Sequence, residues 1–253
     1  CYTFMPTVYL DNTSKGEVIK VNNLSIGLPK KPNKSAILFS NLTKKNQFWK
    51  RDKTDWEFLS NKQKEKFIIQ EFERRLNGVW FMNNGEPTYI TGNHYYYLQW
   101  CKIDIGYPEY RDRDRRFFTF WEACKKDLKC FGMTMVKHRR EGASWKGACM
   151  ALYEITSKYN AHGGLLSKTG ADAKDLFEKV VYMFRGLPDF FQPIIDGSDN
   201  PKSKLSFAAP GQKISKNYQG VTKSQALNSK IDWRNTKENS YDSAKLNFFV
   251  SDE

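Results

Sequence analysis

Two stretches of the chain carry residue types that together perform phosphate chemistry. The first, Lys137-His138-Arg139-Arg140-Glu141-Gly142-Ala143-Ser144, joins four basic side chains to a glycine and a hydroxyl. The second, Leu246-Asn247-Phe248-Phe249-Val250-Ser251-Asp252-Glu253, is an apolar run ending on two adjacent carboxylates. A phosphate loop of the form G-x-x-x-x-G-K-S/T surrounds phosphates with backbone N–H groups at a helix N-terminus. Its lysine reaches the β- and γ-phosphates and its hydroxyl ligates magnesium. Here Gly142 and Ser144 stand at the second-glycine and hydroxyl positions, while Ala143 replaces the lysine and Lys137 occupies the first-glycine position. An ammonium at Lys137 can fold back over the loop and supply the missing charge, and Arg140 near the apex is placed to clamp the γ-phosphate. An apolar strand ending in Asp-Glu is the complementary half, a Walker B element. Asp252 would hold Mg²⁺ largely through water and Glu253 would polarise the attacking water. Each half alone has an ordinary explanation: a basic βα turn with a glycine, and a strand that ends on two solvated acids.

Both halves need a sheet to hold them. Met133-Thr134-Met135-Val136 predicts a buried strand before the loop, and the Ala- and Leu-rich segment 144–159 a helix after it. Gly164-Leu165-Leu166-Ser167 predicts a second strand. Residues 172–184 predict a helix, with Leu176, Phe177, Val180, Val181 and Phe184 on one face and a stop near Gly186 and Pro188. Residues 196–204 and 211–230 read as polar loops around the short strand Leu205-Ser206-Phe207. Strand–helix alternation implies a parallel α/β sheet with right-handed crossovers. The Asp-Glu strand lies about 110 residues beyond the loop, which leaves room for two crossovers and an intervening strand. The expected fold class is therefore α/β: a P-loop NTPase core of the additional-strand type with a mostly parallel sheet, preceded by a mixed N-terminal region. The expected division is 1–105 for an N-terminal arm with a helical and hairpin subdomain, and 106–253 for the ATPase core.

In the N-terminal region, residues up to about 47 are Lys- and Asn-rich and read as an arm or small strands, with short apolar pieces such as Tyr2-Thr3-Phe4 and Ala36-Ile37-Leu38-Phe39. A helix is expected over 56–76 with Gly78 as its stop, followed by a hairpin that turns at Asn83-Asn84-Gly85. Tyr95-Tyr96-Tyr97-Leu98-Gln99-Trp100 fits a packed aromatic layer at a domain seam better than a base-stacking surface. Arg111-Asp112-Arg113-Asp114-Arg115-Arg116 fits a salt-bridged helix start as readily as a nucleic-acid contact. The amphipathic helix that follows runs through Lys129.

The net charge of +13 over 253 residues points to a polyanionic partner, nucleic acid ahead of an acidic membrane surface. Five cysteines without a C-x-x-C pair, and three histidines, assemble no zinc site at sequence level and fit free thiols. No secretory h-region and no membrane-spanning apolar run is present, so a soluble intracellular protein is expected. Because the chain starts at Cys1 and stops on Glu253, it reads as a fragment of a longer protein, cut through its active site.

The pattern K-x-x-R-x-G-x-S, with its lysine at the front, resembles the large terminase subunit of tailed bacteriophages, the motor that packages DNA into the capsid. The resemblance spans roughly residues 89–253. It extends to Thr91-Gly92-Asn93-His94-Tyr95-Tyr96-Tyr97-Leu98, Gly163-Gly164-Leu165-Leu166-Ser167-Lys168, the helix through Phe177 to Leu187-Pro188, and Leu227-Asn228-Ser229-Lys230-Ile231. It implies an ATP- and Mg²⁺-dependent hydrolase that translocates double-stranded DNA. A portal or procapsid and a small terminase subunit would be its partners, in a homo-oligomeric ring within the cytoplasm of an infected bacterial host. Lys137 would neutralise the phosphates, Arg140 couple to the γ-phosphate, Ser144 and Asp252 hold magnesium, and Glu253 serve as catalytic carboxylate. Residues 137–144 with Trp145 form the implied ATP-binding segment. Phe117 and Phe118 are candidates for the adenine, although the family's glutamine is not evident beside them. The coupling motif after Walker B and the metal-dependent nuclease domain of the family have no counterpart in these 253 residues. Two rivals remain: a helicase-like nucleic-acid ATPase, and a non-catalytic basic DNA- or capsid-binding module whose Ala143 marks a degenerate loop.

Overall fold

The computed structural model describes residues 8–10, 18–21, 24–37, 58–138, 140–198, 200–209, 226–235, 237 and 239–252. The chain divides into two compact units, one made of Cys1–Gln99 and Tyr107–Val136, the other of Trp100–Gly106 and Lys137–Glu253. Residues 107–136 thus belong with the N-terminal unit, and the division falls later than the expected 105/106.

In the first unit, β1 (Val8–Leu10), β2 (Val18–Val21) and β3 (Leu24–Gly27) form an antiparallel sheet. Helix α1 (Asn61–Asn77) starts later than the expected residue 56, at a capping box in which the Ser60 hydroxyl accepts from Gln63 N–H and the Gln63 side chain accepts from Ser60 N–H. It stops at Gly78, whose φ of 73° is the left-handed geometry glycine adopts freely. Strands β4 (Val79–Asn83) and β5 (Glu86–Ile90) then pair around Asn84 and Gly85, both with positive φ (49° and 84°), the requirement of a tight type I′ turn. The Tyr-rich segment is helix α2 (Gly92–Gln99), buried at every residue. Its Gly92 is a contact point: a Cβ there would lie 1.9 Å from the Arg75 carbonyl oxygen, so only glycine lets the two backbones meet.

Helix α3 (Asp112–Lys126) carries two aspartates in its first turn and two lysines in its last, matching the helix dipole. The arginine stretch is thus a helix start, and Arg115 donates to the Tyr89 carbonyl at 2.7 Å. The α3 residue Ala123 packs with Ile26 of β3, joined by Leu28 and Phe120. Residues 133–136 form no strand. They lie outside every ladder among the described residues and Val136 is 75 % exposed, which corrects the expectation of a buried strand before the loop. A run of strand-favouring residues makes a strand only when a neighbour satisfies its backbone groups.

The second unit is mixed α/β with a small, mostly parallel sheet in the order β7-β8-β6-β9. Strands β6 (His162–Ser167), β8 (Lys230–Trp233) and β9 (Phe248–Asp252) run parallel, and β7 (Lys204–Ser206) pairs antiparallel with β8. Helices α4 (Ala143–Ser157) and α5 (Gly170–Arg185) bury Leu152, Ile155, Phe177, Val180 and Phe184, and the strands bury Leu165, Ile231 and Leu205. Strand period decides the two faces of β6. A Cβ on Gly163 would touch Ile155 and Ile231, whereas one on Gly164 would press into Leu246 (2.7 Å) and Tyr241 (2.9 Å). Strand β9 lies at the end of the described sheet order, with Phe249 47 % exposed.

Candidate functional site

Parallel pairing sets Ser167 of β6 opposite Asp252 of β9, so both stand at the carboxyl edge of the sheet. The Ser167 hydroxyl donates to the Asp252 carbonyl oxygen, pinning the end of β9. The Asp252 side chain then meets residues from the basic loop. Ser144 Oγ donates to Asp252 Oδ2, and Lys137 Nζ lies 3.3 Å from Asp252 Oδ1. The two stretches selected from sequence are therefore joined through one carboxylate. Both partners of the ion pair keep some solvent contact, with side chains 26 % and 20 % exposed, so Lys137 can exchange Asp252 for another anion without crossing a buried barrier.

The loop between these contacts has an unusual backbone. Arg140 (φ 68°) and Gly142 (φ 71°) both adopt left-handed conformations, which costs a non-glycine residue about 1 kcal/mol or more. Gly142 is the N-cap of α4 and offers no side chain, so no side-chain cap occupies the first turn; no acidic residue lies there either. By contrast Ser60 caps α1 and Thr169 caps α5. The α4 amides and the helix dipole therefore remain available to an anion.

His138 and Arg140 are exposed, and Glu141 is half-buried. Ala143 opens helix α4 and carries no cation. Trp145 stacks edge-on to Tyr182 (5.9 Å) with the Lys179 ammonium 5.8 Å from its ring, so it braces α4 against α5. Arg139 and Glu253 lie outside the described residues. Phe118 is fully buried in the first unit, its ring 4.9 Å from His94 and 5.5 Å from Tyr97, with Phe117 edge-on at 5.2 Å. This core packing corrects the assignment of Phe118 to an adenine.

Sequence reasoning missed three contributors. Ser167 fixes the Asp252 backbone, but its partner is 85 residues away and no local pattern announces it. Gly147 sits where a Cβ would come 3.2 Å from Val250 Cγ1, so α4 seats closely on β9 only because this residue is small. A glycine in the interior of an expected helix was the available signal. Lys146, one turn into α4, is 1 % exposed, and a lysine that deep always finds partners.

No group of three metal-ligating side chains occurs among the described residues. A single carboxylate with a hydroxyl nevertheless suits magnesium, which keeps several waters and takes the rest of its shell from substrate phosphates. No described helix is long and apolar enough to cross a membrane. No protein-family model matches the chain, and no curated protein matches it.

Proposed function

We propose that the chain is the ATPase portion of a DNA-translocating motor resembling the large terminase subunit. The observation that carries this reading is the single carboxylate of Asp252 held between the Lys137 ammonium and the Ser144 hydroxyl. In this reading ATP lies along the uncapped N-terminus of α4. Lys137 leaves Asp252 to neutralise the β- and γ-phosphates, which brings back to the loop the charge that Ala143 lacks. Arg140, held in a left-handed conformation at the loop apex, addresses the γ-phosphate. Ser144 and Asp252 would hold Mg²⁺, which when bound supplies positive charge to the phosphate oxygens. Glu253 orients the attacking water. Catalysis of this type rests on positioning and charge neutralisation rather than on a covalent intermediate. Double-stranded DNA is the proposed track, in keeping with the net charge of +13. A procapsid, a small terminase subunit and neighbouring copies in a ring are proposed from the resemblance, as is the cytoplasm of an infected bacterium.

The test is nucleotide binding by Lys137→Ala. A fluorescent ATP analogue with Mg²⁺ should bind the variant at least tenfold more weakly, about 1.4 kcal/mol or more. Undiminished binding sinks the displaced-lysine reading. One observation favours a non-catalytic module instead: residues 133–136 do not form the strand that precedes a phosphate loop. That rival requires that ATP with Mg²⁺ not bind the unmodified protein at all. A helicase-like ATPase would bind ATP equally and is separated by a preference for single strands.

A further inference from the structure

We propose that the amino edge of the second unit's sheet carries a separate anion site that takes phosphodiester oxygens of a nucleic-acid strand. The parallel strands β6, β8 and β9 present the Lys137–Asp252 contact at their carboxyl ends. Their amino ends, about 17 Å away along a six-residue strand, open onto a cavity of about 520 Å³. Three cations line it, Lys230 at the start of β8, Arg234 just past its end and Lys245 ahead of β9, with His162 at the start of β6. Asn160 and Ser243 add neutral hydrogen-bonding groups, and no acidic residue is in the lining among the described residues.

One carboxylate beside the lining, Asp232, is engaged by its neighbours. Asp232 Oδ2 lies 3.0 Å from His162 Nε2, and its Oδ1 accepts from the Tyr241 hydroxyl at 2.7 Å. Arg234 Nε is 4.0 Å from that same Oδ1, and the guanidinium lies over the Tyr241 ring at 4.4 Å while Nη1 donates to the Ser240 carbonyl at 2.5 Å. Arg234 is therefore held in place, in a loose ion pair with a carboxylate that it shares with His162 and Tyr241. The Lys230 and Lys245 ammoniums have no ion-pair partner among the described residues. Converging cations around a cavity repel one another, and an anion relieves that repulsion.

The cavity walls are fixed before any ligand arrives. Asn247 N–H donates to the His162 carbonyl at 2.8 Å, and the His162 N–H donates back to Asn247 Oδ1 at 2.9 Å. Asn228 Nδ2 donates to Asn160 Oδ1 at 2.8 Å, and the Ser229 hydroxyl bridges Ala161 N–H and the Lys158 carbonyl. A volume of about 520 Å³ exceeds what one phosphate needs and suits two phosphates with the sugar between them. Lysine point charges and neutral amides fit backbone contact rather than base reading. The assignment rests on nucleic acid as the partner and is independent of the ATP reading.

The experiment compares the full chain with Lys230→Gln/Lys245→Gln, by fluorescence anisotropy of a labelled DNA duplex across salt concentrations. The expected result is binding weakened about tenfold at 0.1 M salt, and a slope of log affinity against log salt shallower by roughly 2, one unit for each phosphate no longer neutralised. Lys230→Arg/Lys245→Arg should retain both values, which separates charge from fold. Unchanged affinity and slope in the Gln variant, with duplex binding by the unmodified protein intact, overturn the site and leave the nucleic-acid reading standing. Absence of duplex binding by the unmodified protein overturns both. Loss of inorganic phosphate binding in the Gln variant without any change toward DNA assigns the cavity to a free anion and overturns the nucleic-acid assignment.

Discussion

Lys137 Nζ and Asp252 Oδ1 stand 3.3 Å apart although 115 positions separate them in sequence (252 − 137), and this ion pair ties the basic loop to the end of β9. In the proposed reading it holds the cation meant for a phosphate and the carboxylate meant for a metal in mutual contact. Each neutralises the other in this arrangement.

Asp252→Asn should leave the fold almost unchanged and abolish the magnesium response. A partly exposed ion pair contributes only about 0–1 kcal/mol, so the melting temperature should move by no more than a few degrees. Nucleotide affinity, measured with and without Mg²⁺, should become the same in both conditions. A variant that still gains affinity on adding Mg²⁺ would show that Asp252 does not hold the ion.

Glu71→Ala should be among the most damaging single changes in the first unit. Glu71 is fully buried, pairs with Arg74 at 2.5 Å and accepts from the Tyr95 hydroxyl at 2.6 Å. Its removal takes one partner from the partly buried Arg74 guanidinium and one from the buried Tyr95 phenol, at a cost of about 3 kcal/mol. Chemical denaturation of the variant reads this directly, and a loss below about 1 kcal/mol would contradict the pairing.

Gly92→Ala should destabilise by about 3 kcal/mol or more, because the added methyl meets the Arg75 backbone, which has no rotamer to give way. Gly142→Ala meets nothing within 4 Å and loses only the ease of a φ of 71°, about 1 kcal/mol. A denaturation series should therefore rank Gly92→Ala well above Gly142→Ala; the reverse order would refute the close approach of α1 and α2.

Alkaline pH should unfold the protein earlier than its surface charge alone requires. Burial, and then the Asp232 carboxylate, push the Tyr241 hydroxyl well above its ordinary value of 10.0, and burial followed by Asp112 does the same to Tyr110. A folded pKa above the unfolded one favours the protonated form in the fold. That stability is fully present below pH 10 and is lost as pH rises through the folded values. Tyr241→Phe should flatten the decline in stability above pH 10, and an unaltered slope would remove Tyr241 from the account.

The elements most legible in sequence are those whose pattern is local. Asn84-Gly85 announced the hairpin because few other dipeptides accept two positive φ values, and Leu176, Phe177, Val180, Val181 and Phe184 marked α5 by their period. Strand β8 was not foreseen: Lys230-Ile231-Asp232-Trp233 follows a long polar stretch and carries two charges in four residues. It becomes a strand through tertiary pairing with β6 and β7. Residues 133–136 show the converse, since apolar and β-branched residues alone do not supply a neighbour. At the site, residue types identified Lys137, Ser144 and Asp252. Contacts across 85 residues, such as Ser167 with Asp252, and packing of the kind that buries Phe118 leave no mark in a linear pattern.

Strand β6 is fastened to the β9 segment at both extremities, through Ser167 with Asp252 and through His162 with Asn247. An extended chain barely stretches, so a pull on Asp252 cannot be absorbed along its length. The β6–β9 ribbon then behaves as a short, stiff push-rod, delivering at one end whatever displacement is imposed at the other.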